Sequence, residues 1–231
     1  MRAAGAGRHD AGPRGQGPQG IAPGARQRAE AVALSLAEVL AGFEAAPPDH
    51  PAAVHADFAR LYLAVTRCWL AHLAQEAEPG FALRVIPLFF DLYRLHVLAR
   101  IGTPLAAIAP HWRLYHRLAQ RPVRSPALRL LAVCAGVRAH THHDLGMAIR
   151  GAEAASGARL HQAQPQRLMF DAGASQAFAG AVQQAFAGSA LAPALSATQP
   201  LWLPVLHRWR LTGYRRALAG GEVLFAGPGA V

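Results

Sequence analysis

Apolar residues recur every three to four positions along most of the chain, which is the period of an amphipathic α-helix. Pro and Gly interrupt this pattern at intervals, and the alternation of β-branched residues that is typical of strands is nearly absent. The pattern predicts an all-α globular bundle of about seven helices. The predicted helices lie near residues 28–43, 49–75, 81–101, 110–119, 127–150, 172–187 and 201–218.

Both ends of the chain differ from this helical part. Residues 1–26 are mostly Gly, Ala, Pro, Arg and Gln, and they have too few apolar side chains to offset the entropy of ordering. We predict a disordered arm over residues 1–26, a single helical domain over 27–220 and a flexible tail over 221–231. The arm lacks the apolar stretch of a secretion signal, and no apolar run approaches the roughly 20 residues of a membrane span. We therefore expect a cytoplasmic protein.

Charge and cysteine content argue against specific nucleic-acid binding and against a disulfide-stabilised scaffold. The chain has 23 Lys plus Arg, all of them Arg, against 13 Asp plus Glu, for a net charge of +10. The arginines are scattered without interleaved aromatic residues, so we expect at most weak, non-specific attraction to nucleic acid, in which the Arg-rich arm would take part. Two cysteines cannot staple a chain of 231 residues, and we expect Cys68 and Cys134 to be buried thiols.

The fifth predicted helix carries the most informative polar residues. On a helical wheel, Val133, Val137, His140, Asp144 and Met147 share one apolar stripe. His140 and Asp144 lie one turn apart and can therefore interact. Small or apolar residues occupy most of the other sides, which predicts a central, buried helix. An imidazole and a carboxylate in such a stripe are costly unless they are paired or bind a metal.

Three explanations fit this pair. It can belong to a satisfied internal network that only fixes helix packing. It can form an acid–base centre in which Asp144 orients His140. It can bind Zn or Fe, because residues at positions i, i+3 and i+4 face the same side of a helix, provided that other helices add ligands. The candidate metal ligands are His140, His143, Asp144, Asp57, Asp91 and His96.

Two other predicted helices supply secondary candidates. Asp91 is flanked by apolar residues, so we expect it to be buried, with Arg94 as a local ion-pair partner. His96 by itself fits a satisfied core histidine better than a ligand. Tyr62 has a hydroxyl that can donate a proton in catalysis, although a bond to a neighbouring backbone group is the commoner role of a buried tyrosine.

Three segments resemble the domain of unknown function 5995 family of helical proteins. These segments are Phe58–Thr66, Phe89–Tyr93 and Ala139–Leu145, and they occur in the family's order and at its separations. The resemblance covers about Ala52–Arg150, and Trp209–Ala217 more loosely. It implies an all-α fold but no reaction, because the family has no settled activity.

The same resemblance implies a signature His140 and Asp144 on one helix. Two positions depart from it, since His142 and Gly146 stand where the family has Asn and Pro. If that Asn has a role, His142 replaces its amide with a titratable ring.

The leading hypothesis is therefore a small-molecule enzyme whose pocket lies between the second, third and fifth helices. His140 would be the base or a ligand, Asp144 its orienting partner or a ligand, and His143 a further ligand or proton shuttle. The alternative is a non-catalytic ligand-binding or scaffold protein in which the His140–Asp144 pair is structural. The sequence leaves the substrate and the oligomeric state open.

Overall fold

The computed structural model describes residues 24–47, 50–77, 79–121, 125–156, 172–189 and 192–219, and these residues contain no strand. The all-α prediction is confirmed. The helices are α1 (Ala25–Glu44), α2 (Ala52–Leu73), α3 (Gly80–His96), α4 (Arg113–Ala119), α5 (Pro126–Ala139), α6 (Leu145–Ser156), α7 (Ala172–Ala185), α8 (Ala192–Ala197) and α9 (Gln199–Leu218). Three short 3₁₀ turns lie between α3 and α4, and a π-helical turn at His140–Asp144 joins α5 to α6.

Several helix boundaries differ from the predicted ones. Helix α1 begins at Ala25, after Gly24 in the left-handed conformation with φ 95°, and so includes two residues of the predicted arm. Helix α6 continues past Gly151 to Ser156 because Ala148, Ile149 and Ala152 are buried against α3 and α9. The rest of the predicted arm, residues 1–23, and the predicted tail, residues 221–231, lie outside the described residues.

Two apolar clusters form the interior. The larger one joins α1, α2, α3, α4, α5 and α7 around aromatic side chains that include Phe58, Tyr93, Trp112 and Tyr115. The smaller one joins α3, α6 and α9. The predicted central helix is buried on nearly all sides only in its second half, because the first half exposes Leu128 and Leu131 to solvent.

An ion-pair network ties α1, α2 and α5 together. Arg129 on α5 makes two parallel bonds to Asp57 on α2, with Nε 2.6 Å from Oδ2 and Nη2 2.7 Å from Oδ1. Arg60 also binds Asp57, with Nη1 2.9 Å from Oδ1, and reaches Glu44 of α1 with Nη2 2.6 Å from Oε1. The Asp57 carboxylate is therefore held by two guanidinium groups, and its interactions are those of a structural ion pair.

Helix α9 crosses the α5–α6 junction at very short range. Gly213 of α9 and Gly146 of α6 face each other, and a Cβ added to Gly146 would lie 2.7 Å from the carbonyl oxygen of Gly213. A Cβ on Gly213 would overlap the carbonyl oxygen of Thr141. Glycine at both positions lets α9 pack directly against the π-helical turn.

The two cysteine side chains are less buried than predicted. Cys134 is exposed and Cys68 is partly exposed, so the expectation of buried thiols is wrong for Cys134. Its side chain lines an open cavity that is described below.

Among the described helices, none combines the length and the apolar character needed to cross a membrane.

Candidate functional site

The π-helical turn places the central pair of residues. His140 and Asp144 are the first and last residues of this turn, and the Nδ1 atom of His140 lies 3.0 Å from Oδ2 of Asp144. The predicted contact between the two side chains is thus confirmed, although the backbone is π-helical there and not α-helical. Insertions of this kind are rare in helices and are frequent at functional sites.

Asp144 is the centre of a polar cluster inside the bundle. Its side chain is 0% exposed, and four ring nitrogens lie within hydrogen-bond distance of its two oxygens. His96 Nδ1 and His111 Nε2 each lie 3.2 Å from Oδ1. Trp112 Nε1 lies 3.1 Å from Oδ2, and His140 Nδ1 contacts the same oxygen. We call Asp144, His96, His111, Trp112 and His140 the Asp144 cluster.

The cluster holds Asp144 in its charged form. Burial by itself would raise the pKa of this carboxyl, but hydrogen bonds from His111, His140 and His96 outweigh burial and lower the pKa well below its ordinary value. A charged carboxylate can only accept hydrogen bonds. Each ring nitrogen that faces it therefore carries a proton, which assigns the Nδ1–H tautomer to a neutral His140.

The environment of His140 keeps its imidazole neutral. Burial lowers the pKa of His140, and this effect exceeds the opposing influence of Asp144. The ring stacks on Phe89, with centroids 3.5 Å apart, and meets the edge of Tyr62 at 5.0 Å. Its Nε2 atom is buried and has no hydrogen-bond partner among the described residues. The site thus contains a neutral imidazole, oriented by a carboxylate, with a free lone pair on Nε2.

His140 lines a cavity of about 320 Å³. Helices α2 and α5, with Phe89 of α3, form one side of it, as the predicted pocket position requires. Residues of α7, α8 and α9 complete its lining, among them Trp202 and Trp209 of α9. The Tyr62 hydroxyl also lacks a hydrogen-bond partner among the described residues, and Tyr62 lines the same cavity. We call this space the apolar cavity.

The other side of Asp144 faces the protein surface. The side chains of His96 and His111 are 14% and 20% exposed. His143 stacks on His111, with centroids 4.4 Å apart, and its Nδ1 accepts a hydrogen bond of 3.0 Å from Arg216 Nη1. Burial, followed by the neighbouring His111 and Arg216, lowers the pKa of His143 to about 4. The same Arg216 nitrogen binds Nδ1 of His142, 2.9 Å away.

One group of possible metal ligands is present among the described residues. Atoms of His96, His111 and Asp144 all lie within 4.8 Å of one another, so this group could hold a metal ion. Of the six ligands proposed from the sequence, only His96 and Asp144 belong to it. His140, His143, Asp57 and Asp91 lie outside the group.

The structure overturns the expectation for Asp91. Its side chain is 53% exposed, and it pairs with Arg94 at 3.6 Å, so the predicted ion pair is confirmed and the predicted burial is wrong. The prediction assumed that the apolar neighbours of Asp91 in sequence are buried. Leu95, one turn further along the same helix, is 48% exposed, so this assumption fails on that side of the helix. Asp91 therefore lies on a solvent-facing side of α3 that still carries apolar residues.

His111 and Trp112 were not predicted as site residues. Both lie on a 3₁₀ turn, Pro110–Trp112, before α4, and they are more than 30 positions away from Asp144 along the chain. No local spacing connects them with the fifth predicted helix. The only available signal was the presence of a His and a Trp together at a helix start, which is too common to indicate a site.

Comparisons with known proteins give no relative from which to transfer a function. No family model matches the chain, and no curated protein or solved structure matches it either. The function must therefore be inferred from the chemistry of the Asp144 cluster and the apolar cavity.

Proposed function

We propose that the protein is a small-molecule enzyme in which His140 acts as a general base. The observation that carries this proposal is the position of its imidazole: Nδ1 is bonded to a buried Asp144, while Nε2 is unpartnered among the described residues and the ring lines a cavity. A carboxylate that fixes the tautomer of an imidazole and stabilises its protonated form is the usual support for a catalytic base.

The remaining members of the Asp144 cluster support this role. Bonds from His96, His111 and Trp112 fix the carboxylate, so that Asp144 does not reorient when His140 gains a proton. A preorganised charge of this kind stabilises the imidazolium without any rearrangement. Tyr62 complements the base, because burial raises the pKa of its hydroxyl well above the ordinary value and keeps the proton on the oxygen as a hydrogen-bond donor.

The tautomer of His140 tests the proposal without knowledge of the substrate. We expect two-bond ¹H–¹⁵N correlation spectra of histidine-labelled protein at pH 7 to show His140 with a protonated Nδ1 and an unprotonated Nε2. In Asp144→Asn the carboxylate is lost, and we expect His140 to shift towards the Nε2–H form that free imidazole prefers. Assignment uses the signal that disappears in His140→Phe.

Asp91→Asn is the matched control for this experiment. It makes the same chemical change at an exposed residue outside the cluster, and the tautomer of His140 should be unchanged. A protonated Nε2 in the wild-type protein would contradict the proposal, because that atom could not accept a proton. The His140–Asp144 pair would then have a structural role only.

Metal-assisted chemistry is a second candidate, supported by the group His96, His111 and Asp144. Bonds of 2.0–2.2 Å around a tetrahedral Zn place neighbouring ligand atoms roughly 3.3–3.6 Å apart. The two His nitrogens lie at 3.2 Å from Oδ1 of Asp144, close to this separation. The partial exposure of both imidazoles would allow water to reach the ion. A bound Zn or Fe would supply Lewis-acid activation of such a water.

Metal analysis separates the two candidates. If the metal proposal is right, purified protein should bind about one Zn or Fe per chain, and His96→Ala and His111→Ala should each remove it. His140→Phe should retain the metal, because His140 bonds the other carboxylate oxygen. A protein that binds neither Zn nor Fe after dialysis against each ion would refute the metal proposal and leave the acid–base proposal standing.

We also propose that the chain belongs to the domain of unknown function 5995 family. The segments that resemble the family include Phe58, Phe89, His140 and Asp144, and these residues meet at the site: Phe89 stacks on His140, and Phe58 contacts its ring edge. The order and the separations of these segments in the sequence support membership. Membership adds no reaction to the proposal.

A further inference from the structure

We infer that the apolar cavity binds an uncharged, mostly apolar small molecule with a hydroxyl group, held between His140 Nε2 and the Tyr62 hydroxyl. This inference deepens the proposed function and rests on the same tautomer of His140. It names the class of substrate: an apolar alcohol or phenol.

The composition of the wall sets the apolar character of the ligand. Among its described lining residues the cavity has no Asp, Glu, Lys or Arg, so a charged ligand group would be buried without a counter-ion. At about 320 Å³ the cavity has roughly ten times the 30 Å³ that one water occupies in the liquid. The walls are mostly Phe, Leu, Val and Trp side chains, which favour hydrocarbon.

Three polar groups in the wall are already satisfied within the protein. The hydroxyl of Thr141 donates to the Val137 carbonyl at 2.7 Å, and that of Thr198 donates to the Ala194 carbonyl at 2.6 Å. The indole N–H of Trp202 donates to the Leu195 carbonyl at 2.9 Å. These groups have little need of a ligand.

Of the buried groups that lack a partner among the described residues, two belong to residues that line the cavity, and these two are chemically complementary. His140 offers an acceptor at Nε2, and Tyr62 offers an O–H donor. A ligand hydroxyl satisfies both, since it donates one hydrogen bond and accepts another. An ether or ketone can only accept and would leave His140 unpaired, while a carboxylate would bring a charge against the His140 lone pair. An unmade hydrogen bond in a buried site is costly, so the difference should be measurable.

The test compares two isomers, 1-octanol and 1-methoxyheptane, which have the same atoms and nearly the same shape. Both accept a hydrogen bond, but only octanol donates one. Binding is followed by calorimetry, or through the change in intrinsic fluorescence, to which Trp202 and Trp209 in the cavity wall contribute. We expect wild-type protein to bind octanol about tenfold more tightly than the ether, and octanoate more weakly than octanol.

Two variants locate the hydroxyl. In His140→Phe the acceptor is lost and the two isomers should bind equally. In Tyr62→Phe the donor is lost, both isomers should weaken together, and the roughly tenfold ratio between them should persist. The decisive quantity is the ratio of the two affinities in wild-type protein, so the test can be decided even if one variant does not fold.

Several outcomes would overturn the inference: equal affinity of wild-type protein for the two isomers, tighter binding of octanoate, or binding of none of the three. These are distinguishable from a failure of the proposed function, which the ligand-free tautomer measurement decides. An Nδ1–H tautomer with no preference for octanol refutes the substrate class alone. A protonated Nε2 refutes the general base whatever the cavity binds.

Discussion

Asp144→Ala is expected to lower the free energy of unfolding by about 3–5 kcal/mol, the usual cost of removing one partner from a buried charged network. Asp144 is 0% exposed and accepts from four ring N–H groups. Without the carboxylate these donors lose their acceptor, and His140 and Trp112, which are almost fully buried, cannot turn to water. Urea unfolding followed by circular dichroism measures the change.

Asp91→Ala is the matched control for this substitution. Asp91 lies on the surface of α3 and makes one ion pair of 3.6 Å with Arg94, so its loss should change the stability by no more than about 0.5 kcal/mol. A loss below about 1 kcal/mol for Asp144→Ala, or equal losses for the two variants, would show that the four bonds to Asp144 do not persist in solution.

Helix positions were predictable because their cause is local. The apolar period and the Pro and Gly interruptions predict α1 to α7 and α9 with errors of a few residues at the ends. The boundary errors have tertiary causes. Gly151 is a helix breaker by intrinsic propensity, yet Ala148 and Ala152 on either side are completely buried, and this packing carries α6 through it. The short α8, which separates Ala192–Ala197 from α9, was not predicted.

The candidate site was predictable only in its local part. His140 and Asp144 are four residues apart, so helical geometry alone brings them together. His111 and Trp112 reach the same carboxylate through the tertiary fold, and no spacing in the sequence encodes that approach. Asp91 was predicted to belong to the buried site but is exposed, because apolar neighbours in sequence do not determine which side of a helix meets the core.

Asp144 also couples the two candidate functions. Its Oδ2 supports His140 at the apolar cavity, and its Oδ1 belongs to the possible metal group. A divalent ion at Oδ1 would draw negative charge away from His140 and make it a weaker base. It would also displace the protons with which His96 Nδ1 and His111 Nε2 now bind the carboxylate. The basicity of His140 and the occupancy of the metal group should therefore oppose each other.

Of the glycine-to-alanine substitutions, Gly213→Ala should lower the free energy of unfolding most, by about 2–3 kcal/mol. This is near the upper end for an added methyl group in a packed interior. The new Cβ would overlap the backbone carbonyl of Thr141, next to His140, and backbone atoms cannot rotate away as a side chain can. Helix α9 would have to move off the π-helical turn. Chemical denaturation gives the stability, and the octanol preference over its ether isomer should fall because α9 forms one wall of the cavity.

Gly180→Ala makes the same chemical change where no atom beyond the surrounding backbone of its own helix lies within 4 Å of the new Cβ. Gly180 is inside helix α7, so alanine should raise the stability by about 0.5–1 kcal/mol through helix propensity alone. The two variants should thus shift the unfolding midpoint in opposite directions. If Gly213→Ala were as harmless as Gly180→Ala, α9 would not lie against the π-helical turn, and the wall that encloses His140 in the apolar cavity would have to be assigned to another part of the chain.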